Sequence, residues 1–358
     1  TWVQPVNIRS SQVSIDYYAT VANEVGYRPC GYLWLHTKQN VEVATRARAK
    51  HIEAGWPVEM WDVAELRRRV PFIDKTDDIG VAMFSPRDGL INPNLLKEHY
   101  RKLARQKGAQ FLDRILVRSI EFDSGKKRYV VRGEQYSAQL SEDFKVQTLS
   151  SKFSLGGKTS TIEIEADRLV NCAGAWAPQL AEMMRYRCAS RPVRRQACIF
   201  DSRDVDLTPY GMIVDTSGVY FHPEAAQGLA GFADPNEPAG VNFEYDGLSF
   251  FEERIWPALY ERSSGFERLK HITGWAGLYE TSLDHCAIIG PVTVGPAGKT
   301  GRAFEAHSFS GHGTMHSYAA GLGLAELMCG GRYETVDFSI LDGARFERGE
   351  PVSEKMVI

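Results

Sequence analysis

One stretch constrains the fold of this chain more than any other: Val170-Asn-Cys-Ala-Gly-Ala-Trp176, an apolar strand that breaks into small residues and then into a helix start. The residues before it, from Thr161, alternate and then turn apolar, so 161–171 reads as one strand entering a buried sheet. Trp176 to Arg185 reads as the helix that follows, with Pro178 in its first turn. Small residues at the carboxyl end of such a strand let a ligand approach the backbone closely. A tight strand–helix turn would use the same residues for packing alone, and the stretch by itself supports both readings.

The rest of the chain alternates between two habits. Helices are expected over Ser11 to Glu24, Val43 to Ala54 and Val63 to Arg69, the last stopped by Pro71. Another is expected from Asn92-Pro93 to Lys107, closed by Gly108. Strands are expected at Gly31–His36 and Phe111–Phe122. From Gly125 to Gly157 the chain is polar and reads as a hairpin with an insertion. Between Pro192 and Gly290 four short strands are expected, Ala197–Phe200, Met212–Asp215, Val219–His222 and Leu229–Phe232, interrupted by a helix near Phe250–Glu261. A short strand ending near Phe309 and a helix from Met315 to Met328, small on one face, follow. This is an α/β pattern with an antiparallel middle, so two interleaved domains are expected rather than one boundary.

Charge and cysteine usage exclude several classes. Lys+Arg is 42 against Asp+Glu 45, a net charge of −3, which argues against a nucleic-acid binder. No apolar run is long enough for a transmembrane helix. The six cysteines, Cys30, Cys172, Cys188, Cys198, Cys286 and Cys329, form no CxxC and read as buried and reduced. His312 and His316 are four apart, but no glutamate of an HExxH lies between them, so no metal site is expected. The sequence starts at Thr1-Trp-Val-Gln-Pro5, with neither an initiator Met nor a basic leader.

A second motif, His307-Ser-Phe-Ser-Gly-His-Gly-Thr-Met315, places two glycines around a histidine at a helix start. Backbone N–H groups there can meet a developing negative charge, such as that on the pyrimidine side of a reduced flavin. An ordinary glycine-rich loop with His312 locally satisfied is the competing reading.

Together with Gly31-Tyr-Leu-Trp-Leu35, Asp88-Gly89 with Pro93, Pro192-Val193 with Gln196, and Gly218-Val-Tyr220, these motifs resemble the FAD-dependent amine and amino-acid oxidoreductases, the family of D-amino acid oxidase and sarcosine oxidase. The resemblance spans nearly the whole chain. It implies an α/β fold in which a Rossmann-like FAD-binding domain (1–27, 85–187 and 292–345) is interleaved with an antiparallel-sheet substrate domain (28–84 and 188–291), with 346–358 as a tail. It implies non-covalent FAD, with Ala173, Gly174, Ala175 and Trp176 near the dinucleotide and Gly311, His312, Gly313, Thr314 and Met315 near the flavin ring. Tyr220, His222 and Tyr279 match cavity positions beside the flavin. Buried strand aromatics with one hydrogen bond each would fill the same places. Tyr220, Tyr279 and His312 are the catalytic candidates.

Several departures bear on the chemistry. No GxGxxG is present, and the resemblance begins near Asn7-Ile-Arg-Ser10, after the family's opening βαβ unit. A chain without that unit would bind FAD weakly, whereas a fragment would keep the cofactor; the retained flavin-side turns favour the fragment. Gly277 stands where sarcosine oxidases carry the cysteine that attaches flavin. Met315 stands where they carry a substrate-carboxylate lysine, and Met cannot pair a carboxylate. No lysine lies in Ala233–Glu237, where one associated with oxygen activation falls, which favours a dehydrogenase over an oxidase. The stretches Ile255-Trp-Pro257, Gly274-Trp-Ala-Gly-Leu-Tyr279, Ile289-Gly-Pro291 and Gly331-Arg-Tyr-Glu-Thr-Val-Asp337, with the tail from Arg345 to Ile358, are similar to a mitochondrial branch of the family implicated in assembly of respiratory complex I. That likeness implies a mitochondrial setting. It also keeps open a second expectation, a non-catalytic complex I subunit or assembly factor, beside an enzyme acting on a small amine.

Overall fold

The computed structural model describes residues 3–136 and 158–354. The expected insertion between Tyr136 and Lys158, and the last four residues of the tail, lie outside the described residues.

Three sheets organise the chain. The largest has eight strands in the order β12-β8-β11-β10-β9-β1-β3-β2. They are β1 (Tyr32–Thr37), β2 (Glu59–Trp61), β3 (Ile79–Ser85), β8 (Ser190–Asp201), β9 (Met212–Val214), β10 (Val219–Glu224), β11 (Gln227–Phe232) and β12 (Lys270–Ser282). Every neighbouring pair in it is antiparallel except β1 with β9. A second sheet, β13-β14-β7, joins β13 (Ile288–Pro291), β14 (Ala303–His307) and β7 (Leu169–Asn171), with β14 and β7 parallel. The third is a meander of β4 (Ile115–Asp123), β5 (Arg128–Tyr136) and β6 (Lys158–Ala166). The chain is thus α/β with mixed and antiparallel sheets.

The helices start where local chemistry places them. Asp62 accepts the Glu65 N–H and opens Val63–Arg69. Asn92 accepts the N–H groups of Asn94 and Leu95, with Pro93 at the first position of Pro93–Gln106. The first helix, Pro5–Thr20, starts earlier than its apolar pattern suggests, and a short turn of helix, Ala22–Val25, completes the expected segment.

Two elements differ from expectation. The stretch 161–171 is not one strand. Its first part ends at Ala166, pairs antiparallel with β5 and carries ion pairs from Glu163 to Arg132 and from Glu165 to Lys126 in the turn before β5; the chain restarts as strand at Leu169 in another sheet. The change from alternation to an apolar run marks the point where the chain leaves a half-solvated meander for a buried parallel pair. The cysteines also divide: Cys198 and Cys286 are buried, whereas Cys172 and Cys329 are exposed, and all six are free thiols.

The large sheet has two unlike faces. On one, Leu33, Leu35, Ile213, Phe221 and Phe200 pack with Ile255 and Phe266 into the main apolar core. On the other, cross-strand register aligns Trp34, Val214, Tyr220, Gly231, Ala197 and Trp275 in one row. Gly231 lies directly opposite Tyr220, and a Cβ built on it would fall against the Tyr220 Oη and Cζ, with Cε2 at 2.9 Å. The missing side chain is what lets that phenol lie flat across β11.

The first helix packs against the long C-terminal helix, Gly313–Gly330, through Ala319 and Ala320. Behind that helix, Arg345 and Asp284 form a fully buried two-pronged ion pair at 2.9 Å. Asp284 also accepts the Val352 N–H, and Glu354 accepts N–H groups of Val3 and Gln4. The tail is therefore integrated into the fold up to Glu354.

Candidate functional site

The two glycine-bearing turns meet at one residue of β12. Ala173–Trp176 forms a tight helical turn in which Gly174 has φ +52°, and the Asn171 side chain ties the turn down by donating to the Ala177 carbonyl at 3.0 Å. The Glu280 carboxylate lies 3.9 Å from where a Gly174 Cβ would sit. The Glu280 carbonyl accepts the Ser310 N–H at 3.1 Å. Ser308, Ser310 and Gly311 all have positive φ, which sets the sharp turn before the long helix. Segments more than 130 residues apart in sequence thus frame one end of the β12 face, next to Tyr279.

The helix Gly313–Gly330 opens toward this junction without a side-chain cap at His312 and without an acidic residue in its first turn. Its first N–H groups, at Gly313, Thr314 and Met315, have no carbonyl within the helix to bond. The arrangement suits a partial negative charge held outside the helix. Small residues at 173–175, an uncapped 18-residue helix and a flat aromatic sheet face fit the ring and dinucleotide chain of a flavin.

Three phenols gather on the sheet face. The Tyr220 and Tyr279 phenols lie close together; burial first, then the nearness of Tyr279, raises Tyr220 well above an ordinary phenol, and burial raises Tyr279 as well. Tyr32 is raised by burial and by the nearby Asp88 carboxylate. All three are neutral hydrogen-bond donors at physiological pH. His222 is held neutral by burial, and its Nδ1 lies 2.9 Å from the Pro223 carbonyl.

His312 is placed differently from the phenols. It is 3% exposed, its ring sits 5.7 Å edge-on to His316, and burial together with His316 and His285 lowers its pKa well below the usual value. It does not line the cavity that its neighbours Thr314 and Met315 line. Its geometry is that of a group that positions the turn. Among the described residues no group of three His, Cys, Asp or Glu could hold a metal ion, and no helix is long and apolar enough to cross a membrane.

That cavity, of about 140 Å³, lies between the sheet face and the start of the long helix, walled by Tyr32 and Met212 on one side and Thr314 and Met315 on the other. Asp88 and Trp56 close it.

Sequence reasoning missed three residues here. Tyr32 was visible only as part of an aromatic strand. Asp88 stands in a motif that carries only the family resemblance; the structure holds it in place through a bond from the Gly31 N–H to its carbonyl at 2.8 Å. Arg195 was legible in principle, because strand alternation must send Arg194 and Arg195 to opposite faces. Arg194 finds Glu237 and Asp246 on its side. Arg195 turns to the phenol face, 5.6 Å over the Tyr279 ring, with its buried Nε lacking a hydrogen-bond partner among the described residues.

Comparison with known proteins agrees with this geometry. The family described as FAD dependent oxidoreductase (DAO) matches residues 6–327. A Xenopus laevis protein named FAD-dependent oxidoreductase domain-containing protein 1 is 25% identical over 383 residues, covering 99% of this chain and 73% of its own length. A Drosophila melanogaster homolog of that protein is 24% identical over 373 residues, covering 98% and 69%. Among solved structures, L-proline dehydrogenase from P. horikoshii superposes with a TM-score of 0.80 at 20% identity, covering 97% of this chain and 85% of that one. Glycine oxidase from Geobacillus kaustophilus does so with a TM-score of 0.73 at 17% identity, covering 95% and 82%. With a family match over most of its length and this shared fold, the chain belongs to the DAO family of FAD-dependent oxidoreductases.

Proposed function

We propose that this protein is a non-covalent FAD-dependent oxidoreductase of the amino-acid and amine-oxidising type, a dehydrogenase rather than an oxidase. The observation that carries the reading is the meeting of both glycine turns at Glu280, beside the Tyr220–Tyr279 pair. Bound FAD would supply the acceptor for a hydride leaving a carbon next to nitrogen. The backbone of Gly174 and Ala175 would lie along the dinucleotide. The N–H groups of Gly313, Thr314 and Met315 would hold negative charge on the ring's pyrimidine side. Gly277 offers no side chain for a covalent link. The neutral hydroxyls of Tyr32, Tyr220 and Tyr279 donate hydrogen bonds that orient the substrate, and their rings keep water from the reacting carbon. Removing a hydride from a neutral amine needs no strong base, which suits a site whose His222, His312 and His316 are all pushed toward the neutral form. The interleaved domain division given above belongs to the same reading.

A second reading is a non-catalytic subunit or assembly factor of respiratory complex I in mitochondria. Two features support it: the similarity to the mitochondrial branch, and Met315 in place of a substrate-binding cation.

The test is an absorption spectrum of the purified protein followed by anaerobic titration with N-methyl amino acids and simple amines. Bleaching of protein-bound flavin by an amine supports the enzyme and sinks the scaffold reading. Bound flavin that no amine reduces does the reverse.

A further inference from the structure

We propose that the cavity centred on Asp88 holds a cationic ammonium group of the substrate, distinct from the amine that is oxidised. The proposal rests on the oxidoreductase reading only in taking the occupant to be that enzyme's substrate; the cavity's preference for a cation stands on its own walls.

The walls combine one carboxylate with aromatic and thioether surface: Asp88 among Tyr32, Trp56, Met212 and Met315. Asp88 forms no ion pair among the described residues. Its neighbour Arg87 favours its charged form only weakly, because that guanidinium is paired with Asp16 at 2.6 Å and lies 4.3 Å over the Trp56 ring. No lysine or arginine lines the cavity, and His51 is its one basic side chain. An anion would therefore meet a carboxylate with no fixed counter-charge, whereas an ammonium would meet a carboxylate and ring faces, the combination that recognises quaternary and protonated amines.

The position of Asp88 is fixed. Its carbonyl accepts the Gly31 N–H at 2.8 Å, its own N–H donates to the Ser85 carbonyl at 3.3 Å, and the Trp56 Nε1 donates to the Ser85 Oγ at 3.1 Å. Burial is the largest influence on its pKa and raises it, outweighing the nearby charge of Arg87. A protonated amine has no lone pair to assist hydride loss, so a nitrogen that stays protonated or is quaternary beside Asp88 is not the reacting one. The substrate class is an amine bearing a second, cationic nitrogen.

The experiment uses the full chain as purified and two probes of equal shape, choline and its neutral isostere 3,3-dimethylbutan-1-ol, titrated by calorimetry. Choline is expected to bind about tenfold or more tightly than the alcohol. Asp88→Asn should erase that difference while leaving the alcohol's affinity unchanged. Met315→Lys, which puts a cation into the wall without touching Asp88, should also abolish choline binding, so the conclusion survives if either variant misfolds. Equal binding of the two probes, no choline binding, or a choline preference retained in Asp88→Asn overturns the proposal. Choline preference in a protein whose flavin no amine reduces retracts the enzyme reading and leaves the cation site; amine-driven reduction without choline preference does the opposite.

Discussion

Alanine at Gly231 should damage the site before it damages the fold. A Cβ there falls against the Tyr220 phenol, 2.9 Å from Cε2. Relaxed carbon–carbon contacts lie at about 3.5–4.0 Å, so the ring must retreat by roughly an ångström or swing off the face. Overpacking of this kind costs about 1–3 kcal/mol. With an unfolding entropy of about 2.1 cal/mol/K per residue, that is about 1–4 °C in Tm for a chain of this length. The functional effect is larger, because the displaced phenol also leaves Tyr279. Amine-driven flavin reduction in Gly231→Ala should fall by about tenfold or more, a loss of about 1.4 kcal/mol in the transition state. Thermal melting and stopped-flow reduction would be measured on the same preparation. A variant with unchanged melting and unchanged reduction would refute the claim that Gly231 exists to seat Tyr220.

Three further outcomes follow from the same contacts. Tyr220→Phe, which keeps the ring and removes the hydroxyl, should slow amine-driven reduction while leaving denaturant unfolding within about 1 kcal/mol of the parent. Arg345→Met strands the buried Asp284 carboxylate and should cost about 3–5 kcal/mol in urea unfolding; a loss below 1 kcal/mol would show that water reaches the pair. His36 and His316 are buried, with pKa values lowered to about 4 and about 3. The unfolded chain takes up these protons near pH 6.5 and the folded chain does not. Stability should therefore be full above that pH and fall as pH drops toward 3–4, by at most about 1.4 kcal/mol per pH unit for each histidine. A flat stability profile between pH 6.5 and 4 would count against their burial.

Much of the architecture is written in local signals. Asp62 and Asn92 announce their helices because a side-chain oxygen and a proline act within one turn. The short strand β10 alternates between buried and half-buried residues, since one face meets the apolar core. The longest strand, β12, escaped that logic. It is an edge strand whose one neighbouring strand in the sheet is β8, it carries Gly274 and Gly277, and its Trp275 is 49% exposed, so no hydrophobic period marks it. The site was legible in part. The two glycine turns stood out, but nothing local says that both dock on Glu280, nor that His312 turns inward while Met315 faces the cavity. Those facts are set by pairings across the whole chain.

One such pairing carries a kinetic consequence. The parallel contact of β1 with β9 aligns Tyr32–Trp34 with Met212–Val214, so Tyr32 and Met212, which wall the cavity together, come from segments some 180 residues apart. Closing so long a loop returns little until the intervening strands have formed, and contacts of this span form late. The cavity wall should then be the last part of the sheet to gain protection during refolding, and the amide protons of Met212–Val214 among the last in it to be shielded from exchange.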